Sequence, residues 1–163
     1  MAKMRTRNFL VIISISLFLS GCGYKFLGSS KTKVFVSPVI NQSFRPLADI
    51  YLANALRDVF IEYPEYQLVK HPEDAEYTLN VKINKWDRSP LFFSGEKTRE
   101  IVVARFLIEA EVVLLGNDKV VFTDMIAESV PVSLGKDYDE ERILEDISKN
   151  LASKIYFLLV ERR

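Results

Sequence analysis

Every second residue from Tyr77 to Ile83 is apolar: Tyr77, Leu79, Val81 and Ile83 alternate with Thr78, Asn80, Lys82 and Asn84. A period of two puts one set on a buried face and the other on a polar face of a β-strand. The same period returns over residues 101–115, where Val102, Ala104, Phe106, Ile108, Ala110, Val112 and Leu114 share one side and Arg105, Glu109 and Glu111 the other. Gly116-Asn117-Asp118-Lys119 has the composition of a hairpin turn. Residues 120–132 then return as a third long strand, with Pro131 near its end, where proline is tolerated. The first alternation slips at Lys85-Trp86, the signature of a β-bulge.

Around this sheet the periodicity is helical. After the Asn41–Pro46 turn, Ile50, Ala53, Leu56, Val59/Phe60 and Tyr63 recur three to four apart, which predicts an amphipathic helix over 47–63 ended by Pro64. Near the C-terminus Ile143/Leu144, Ile147, Leu151, Ile155 and Leu158 line one helical face. Asp137 or Asp139 caps that helix, Glu140 and Glu141 suit its positive end, and Arg162 and Arg163 its negative end. Residues 33–40 read as a strand and 67–70 as a short one, with a polar turn at His71–Asp74. The order predicts an α+β two-layer sandwich: two helices packed on one face of a mostly antiparallel four-stranded (mixed) sheet. Residues 33–163 form that single domain.

Residues 87–98 read as a loop. Its apolar tip, Leu91, Phe92 and Phe93, is unneeded in a solvated loop and is a candidate partner contact. Equally, the phenylalanines can fold back on the sheet. Arg88, Lys97, Arg99 and Arg105 cluster near it in sequence. They are candidate contacts for an anionic group, or else a solvated charged edge that opposes aggregation.

The N-terminus carries an address. Lys3, Arg5 and Arg7 precede the 11-residue apolar stretch 9–19, and no acid occurs before Asp49. That is a secretory leader, too short for a transmembrane helix of roughly 20 residues. Leu19-Ser20-Gly21-Cys22 follows, and Cys22 is the only cysteine. This stretch resembles the lipobox of bacterial lipoproteins. The resemblance implies removal of residues 1–21, covalent lipid on Cys22 and a lipidated tether over 22–32. Two or more acyl chains hold a protein durably, at about 0.8 kcal/mol per buried CH2. With Cys22 lipidated, no thiol remains for a disulfide or a metal. Loss of the leader turns the balance of 22 bases and 22 acids into 19 against 22, a net −3, which lacks the basic excess of a nucleic-acid binder.

Cys22-Gly23-Tyr24-Lys25-Phe26 directly after a lipobox is similar to the mature start of the LPS-assembly lipoproteins (LptE). The strand ending in Asn41-Gln42-Ser43, the helix 47–63, Asp74-Ala75-Glu76-Tyr77-Thr78-Leu79 at a strand entry, the hairpin 101–132 and the C-terminal helix follow in that family's order. The resemblance implies a lipid-anchored protein on the periplasmic face of the outer membrane. It implies a plug in the lumen of a β-barrel translocon (LptD-like), and lipopolysaccharide as the delivered molecule, for whose anionic head group Arg88, Lys97, Arg99 and Arg105 are the candidate contacts. Gly23 also fits, because aspartate after the lipidated cysteine is a common inner-membrane retention signal.

Enzymatic chemistry is not advertised. His71 is the only histidine and lies beside Pro72, without a serine or cysteine motif. No G-x-S-x-G, phosphate-binding glycine loop or H-E-x-x-H occurs. Asp137, Asp139, Glu140 and Glu141 read as a helix start rather than a metal site. A non-enzymatic protein with no cofactor beyond its lipid is expected. The alternative is another periplasmic lipoprotein adaptor, either a cell-wall synthase activator or an auxiliary subunit of an ABC-type lipid transporter, since one fold hosts many functions.

Overall fold

Both predicted helices lie on the same side of one sheet. The computed structural model describes residues 31–63, 65–95, 100–135 and 138–162, so Cys22, Lys97, Arg99 and Asp137 lie outside the described residues. The elements are β1 (Thr32–Val36), β2 (Ile40–Asn41), α1 (Ala48–Glu62), β3 (Tyr66–Leu68), a 3-10 turn (Pro72–Asp74), β4 (Tyr77–Ser94), β5 (Glu100–Gly116), β6 (Lys119–Ser133) and α2 (Glu140–Glu161). Strand order is β3-β1-β4-β5-β6, with β2 beside β4. β1 runs parallel to β3 and β4, and β2 runs parallel to β4; β4, β5 and β6 are antiparallel.

The fold class is the one the pattern predicts, with six strands instead of four. β3 is the short strand read at 67–70, set at Tyr66–Leu68, and the two-residue β2 is split off from the end of the strand read at 33–40. Thr32, placed in the tether by sequence, is already in β1 and buried.

The alternating residues do what their period requires. Leu79, Val81 and Ile83 on β4 and every even residue from Ala104 to Leu114 on β5 are buried against the helices. α2 buries Ile143, Leu144, Ile147, Leu151 and Ile155 as predicted, together with Tyr156 and Leu159. Asp139 is its cap, accepting from the Glu141 and Arg142 amides at 2.9 and 3.3 Å. α1 buries the predicted Leu56, Val59 and Phe60, but its N-terminal half turns Leu52 and Ala55 inward in place of Ile50 and Ala53. It buries Ala48, Leu52, Ala55, Leu56, Val59 and Phe60, while Ile50 is 52% exposed. The β5–β6 turn takes left-handed backbone at Asn117 (φ 49°) and Asp118 (φ 60°), which matches the twist of the flanking strands.

The largest correction concerns residues 87–98. Residues 87–94 are strand, not loop: β4 runs on to Ser94 and pairs with β5 as far as Ser94↔Glu100. The bulge expected near Lys85 is present, as a register shift between Ile83 and Lys85.

β6 is a 15-residue outer strand, and long open edges invite pairing with other chains. Leu134 N–H donates to Val102 O at 2.9 Å, so even-numbered backbone groups here face β5 and odd ones face outward. Three outward positions are closed. Met125 N–H donates to Asp124 Oδ1 at 2.8 Å, and Ala127 O accepts from Lys154 Nζ at 3.2 Å. Pro131 has no N–H to offer. Lys154 and Arg162 of α2 pair with Glu128 and Asp124, on the inner face of β6. Eight helical residues rise about 12 Å and four strand residues about 13 Å, so the two ion pairs match in spacing. Replacing Lys154 and Asp124 by alanine together is expected to shift the protein to larger species in light scattering. An unchanged mass at the same concentration would remove the guarding role.

At the helices' C-terminal end Tyr156 donates to Glu65 Oε2 at 2.5 Å, and Tyr66 donates to Leu159 O at 2.9 Å. Burial, then the bond to Glu65, raises the Tyr156 phenol above its ordinary value of 10.0; the same bond lowers Glu65 below 4.5. A raised phenol contributes stability below pH 10 that is lost as pH climbs above it; a lowered carboxyl contributes above 4.5 and fades as pH falls through its folded value. Tm is therefore expected to decline above pH 10, and less steeply in Tyr156→Phe. Identical slopes in both proteins would contradict this.

Candidate functional site

The bulge at Ile83/Lys85 decides which side chains meet at the helices' N-terminal end. One extra residue inverts the facing of the strand beyond it, here as far as Pro90, where further register shifts follow. Below the bulge, odd residues of β4 point to the helices. Above it, Trp86 and Arg88 do. Trp86 packs against Phe106 with ring centroids 5.7 Å apart, and Phe106 stacks on Tyr138 at 6.2 Å. The Arg88 guanidinium lies over both Phe106 (5.7 Å) and Tyr138 (5.5 Å), and Arg45 lies over Trp86 at 5.9 Å. Cations over aromatic faces are held by the ring quadrupole.

Glu140, in the first turn of α2, ties this stack together. It pairs with Arg45 at 3.1 Å and accepts from the Tyr138 hydroxyl at 3.0 Å. Burial, reinforced by Glu140, raises the Tyr138 phenol. Arg88 makes no ion pair among the described residues and is exposed.

Beyond this stack the β4–β5 ribbon carries Leu91, Phe92 and Phe93, which are 40%, 64% and 53% exposed. They do not fold back on the sheet. Ile101 and Val102 on the facing strand are exposed too. The candidate cations separate. Arg88 is on the helix side, while Arg105, opposite Ser89, is on the other face and exposed.

That other face of the sheet carries no helix. Thr78, Asn80 and Lys82 of β4 lie beside Leu115, Val113 and Glu111 of β5. Lys82 pairs with Glu111, and Lys85 stands opposite Glu109. Thr123, Met125, Ala127 and Ser129 continue the face on β6. It is a mixed surface: a polar strip with the Lys82–Glu111 pair runs through it, among Val103, Leu107, Val113 and Leu115 of β5 and Met125 of β6.

Sequence reasoning missed a second exposed apolar group around the β2–α1 turn: Ile40, Phe44, Leu47 and Ile50. A lone aromatic in a turn belongs to no periodic pattern, and the misphased helix hid Ile50.

A cavity of about 120 Å³ lies between Val34, Tyr66, Tyr77, Leu114, Leu159 and Arg162, below the roughly 300 Å³ of a typical ligand pocket; the larger hollows, of about 320 to 490 Å³, are open surface clefts. His71 is exposed. Among the described residues no three His, Cys, Asp or Glu side chains are placed to share a metal, and no helix is long and apolar enough to cross a membrane.

No protein-family model and no curated protein matches the chain. Solved structures do. A hypothetical protein from Chlamydia trachomatis superimposes with a TM-score of 0.58 at 12% identity, over 79% of this chain and 95% of that one. The uncharacterized lipoprotein B from Nitrosomonas europaea gives 0.56 at 12%, over 77% and 79%. The rare lipoprotein B from Shewanella oneidensis gives 0.54 at 12%, over 78% and 94%. The likeness is one of fold.

Proposed function

We propose that this chain is an outer-membrane lipoprotein, lipidated at Cys22, that plugs a β-barrel translocon and assists lipopolysaccharide delivery to the cell surface without catalysing a reaction. The observation that carries the reading is the helix-free sheet face. Barrel lumens of the outer membrane are polar. A domain seated in one meets it with polar groups, and Thr78, Asn80, Lys82, Glu109 and Glu111 form such a strip across the mixed face. Two of the fold's relatives are titled lipoproteins, which agrees with the lipobox at Cys22. The first strand begins a short stretch after that cysteine, consistent with a domain held close to its membrane.

In this reading Leu91, Phe92 and Phe93 meet the barrel wall. Arg88 and Arg105, with Lys97 and Arg99, are the head-group contacts. Arg88 is the strongest of them, because it is exposed, has no ion pair among the described residues and is positioned by two rings, and a guanidinium suits phosphate.

The test is affinity isolation of the lipidated protein from outer membranes. A β-barrel protein identified in the eluate supports the plug. Depletion should then lower surface lipopolysaccharide while wall synthesis continues. Isolation without any barrel, or a wall defect alone, overturns the reading and favours the adaptor class.

A further inference from the structure

The edge strand β3 stops halfway along its neighbour. It pairs with β1 only from Thr32↔Tyr66 to Val34↔Leu68, while β1 runs on to Val36 beside β4. Beyond Val34 the outer edge of β1 is open. Backbone groups along a strand turn alternately to its two sides. Val34 O accepts from the Val69 amide on the β3 side at 3.0 Å, and the Ser37 amide donates to Leu79 O on the β4 side at 2.9 Å. Val36, in phase with Val34, therefore turns its N–H and C=O to the open side. Neither has a backbone partner there among the described residues.

This edge is one wall of an open cleft of about 320 Å³. Five consecutive residues, 35–39, line it. Strand side chains alternate between faces, so a wall of consecutive residues is the edge of the strand. The opposite wall is α1, through Asp49, Ile50, Ala53 and Arg57. Asp49, Ala53 and Arg57 are four apart and form one ridge. Successive members of such a ridge are about 6 Å apart along the helix. Alternate residues of an extended chain are about 6.6 Å apart. An extended segment laid along the open edge thus offers every second side chain to one member of the ridge.

The ridge runs anion, small apolar residue, cation. Asp49 and Arg57 make no ion pair among the described residues; Arg57 is exposed and reaches only Asn54, at 3.4 Å. α1 joins the parallel strands β1 and β3, so it runs against both. Asp49 stands at the Val39 end of the cleft and Arg57 at the Phe35 end. Pro38 has no N–H to offer, which keeps any added strand short.

We propose that the cleft between β1 and α1 takes a short extended peptide of another protein as an added strand. The peptide bonds to the Val36 N–H and C=O. It sets a cationic side chain at Asp49, a small apolar one at Ala53 and a carboxylate at Arg57. In strand addition the main chain supplies affinity and the alternate side chains supply selectivity. An acyl chain in the cleft would leave the Val36 groups unpaired and would ignore opposite charges about 12 Å apart. Antiparallel pairing is the more stable kind, and in that direction the peptide reads Lys-x-Val-x-Glu. Every recognising group lies in the domain, so the cleft needs no barrel.

The probe is the pentapeptide Lys-Thr-Val-Thr-Glu, acetylated and amidated, added to the full lipidated protein in detergent. Hydrogen exchange at the Val36 amide should slow about tenfold or more. Arg57→Glu should weaken binding of this peptide about tenfold and accept Lys-Thr-Val-Thr-Lys in its place. Arg57 is exposed, so the Tm of the variant should match the parent's, and gain of the second peptide reports the charge itself. No slowing at Val36 up to the solubility limit of the peptide would overturn the added strand. The same peptide preference in parent and variant would do so too. A Val36 amide already protected by a concentration-dependent dimer would put a second copy on the edge and displace the peptide. Peptide binding by a protein that brings down no barrel would keep the cleft and remove the plug.

Discussion

Phe106→Ala is expected to destabilise the domain by about 3–5 kcal/mol, the usual cost of emptying a buried phenylalanine site. Phe106 is 0% exposed. Its ring is shared by Trp86 and Tyr138 and carries the Arg88 guanidinium on its face. Truncation therefore leaves a cavity and also removes the platform on which the outer half of the β4–β5 ribbon rests. Small domains have roughly 5–15 kcal/mol in total, so a third or more would go. Urea unfolding measures it, as a lower midpoint with an unchanged slope. Phe93→Ala is the control: at 53% exposed, it should change stability by no more than about 0.5 kcal/mol. A Phe106→Ala loss below about 1 kcal/mol would show that the stack is not a structural joint.

The second large effect is covalent. Cys22→Ala is expected to abolish palmitate incorporation altogether, from full labelling in the parent to background in the variant. The expectation follows from the thiol's uniqueness in the chain. The anchor matters because no described helix can hold the domain in a bilayer, and attachment by acyl chains scales at about 0.8 kcal/mol per buried CH2. Label retained on Cys22→Ala would remove the lipoprotein reading at its root.

Much of the sheet was legible because one face is buried and the other is not. Leu79, Val81 and Ile83, and the even residues 104–114, announce their facing by period alone. The bulge at Lys85 was legible for the same reason: the period broke. Residues 87–94 misled because Asp87, Ser89, Pro90 and Ser94 are turn-forming types. They form a strand through pairing with the first half of β5, and β4 has no strand on its other side beyond β2, which is where proline is tolerated. β3 was legible as the short strand at 67–70, one residue off; β2 was not separated from the strand read over 33–40, because two residues carry no period of their own. α1 holds more apolar residues than one face needs, so Ile50 and Leu52 competed, and only packing against α2 and the sheet chose Leu52.

The site was legible only in part. Leu91–Phe93 stood out as an apolar run among polar neighbours. Phe44 did not, because it stands alone in a turn. Arg88 and Arg105 looked like one cluster. The bulge sends them to opposite faces, so each would have to contact an anionic lipid separately.

The closure of β6 by Lys154 and Arg162 has a consequence in time. α2 follows β6 in the chain, so during synthesis and export the three-stranded meander can exist before the helix that shields its rim. In that interval the meander is exposed to mispairing, and a chain stopped short of Lys154 would never leave it. Asp124 and Pro131 belong to the strand itself and protect it from the outset. The helix is thus a late bolt on a door that the strand has already half shut.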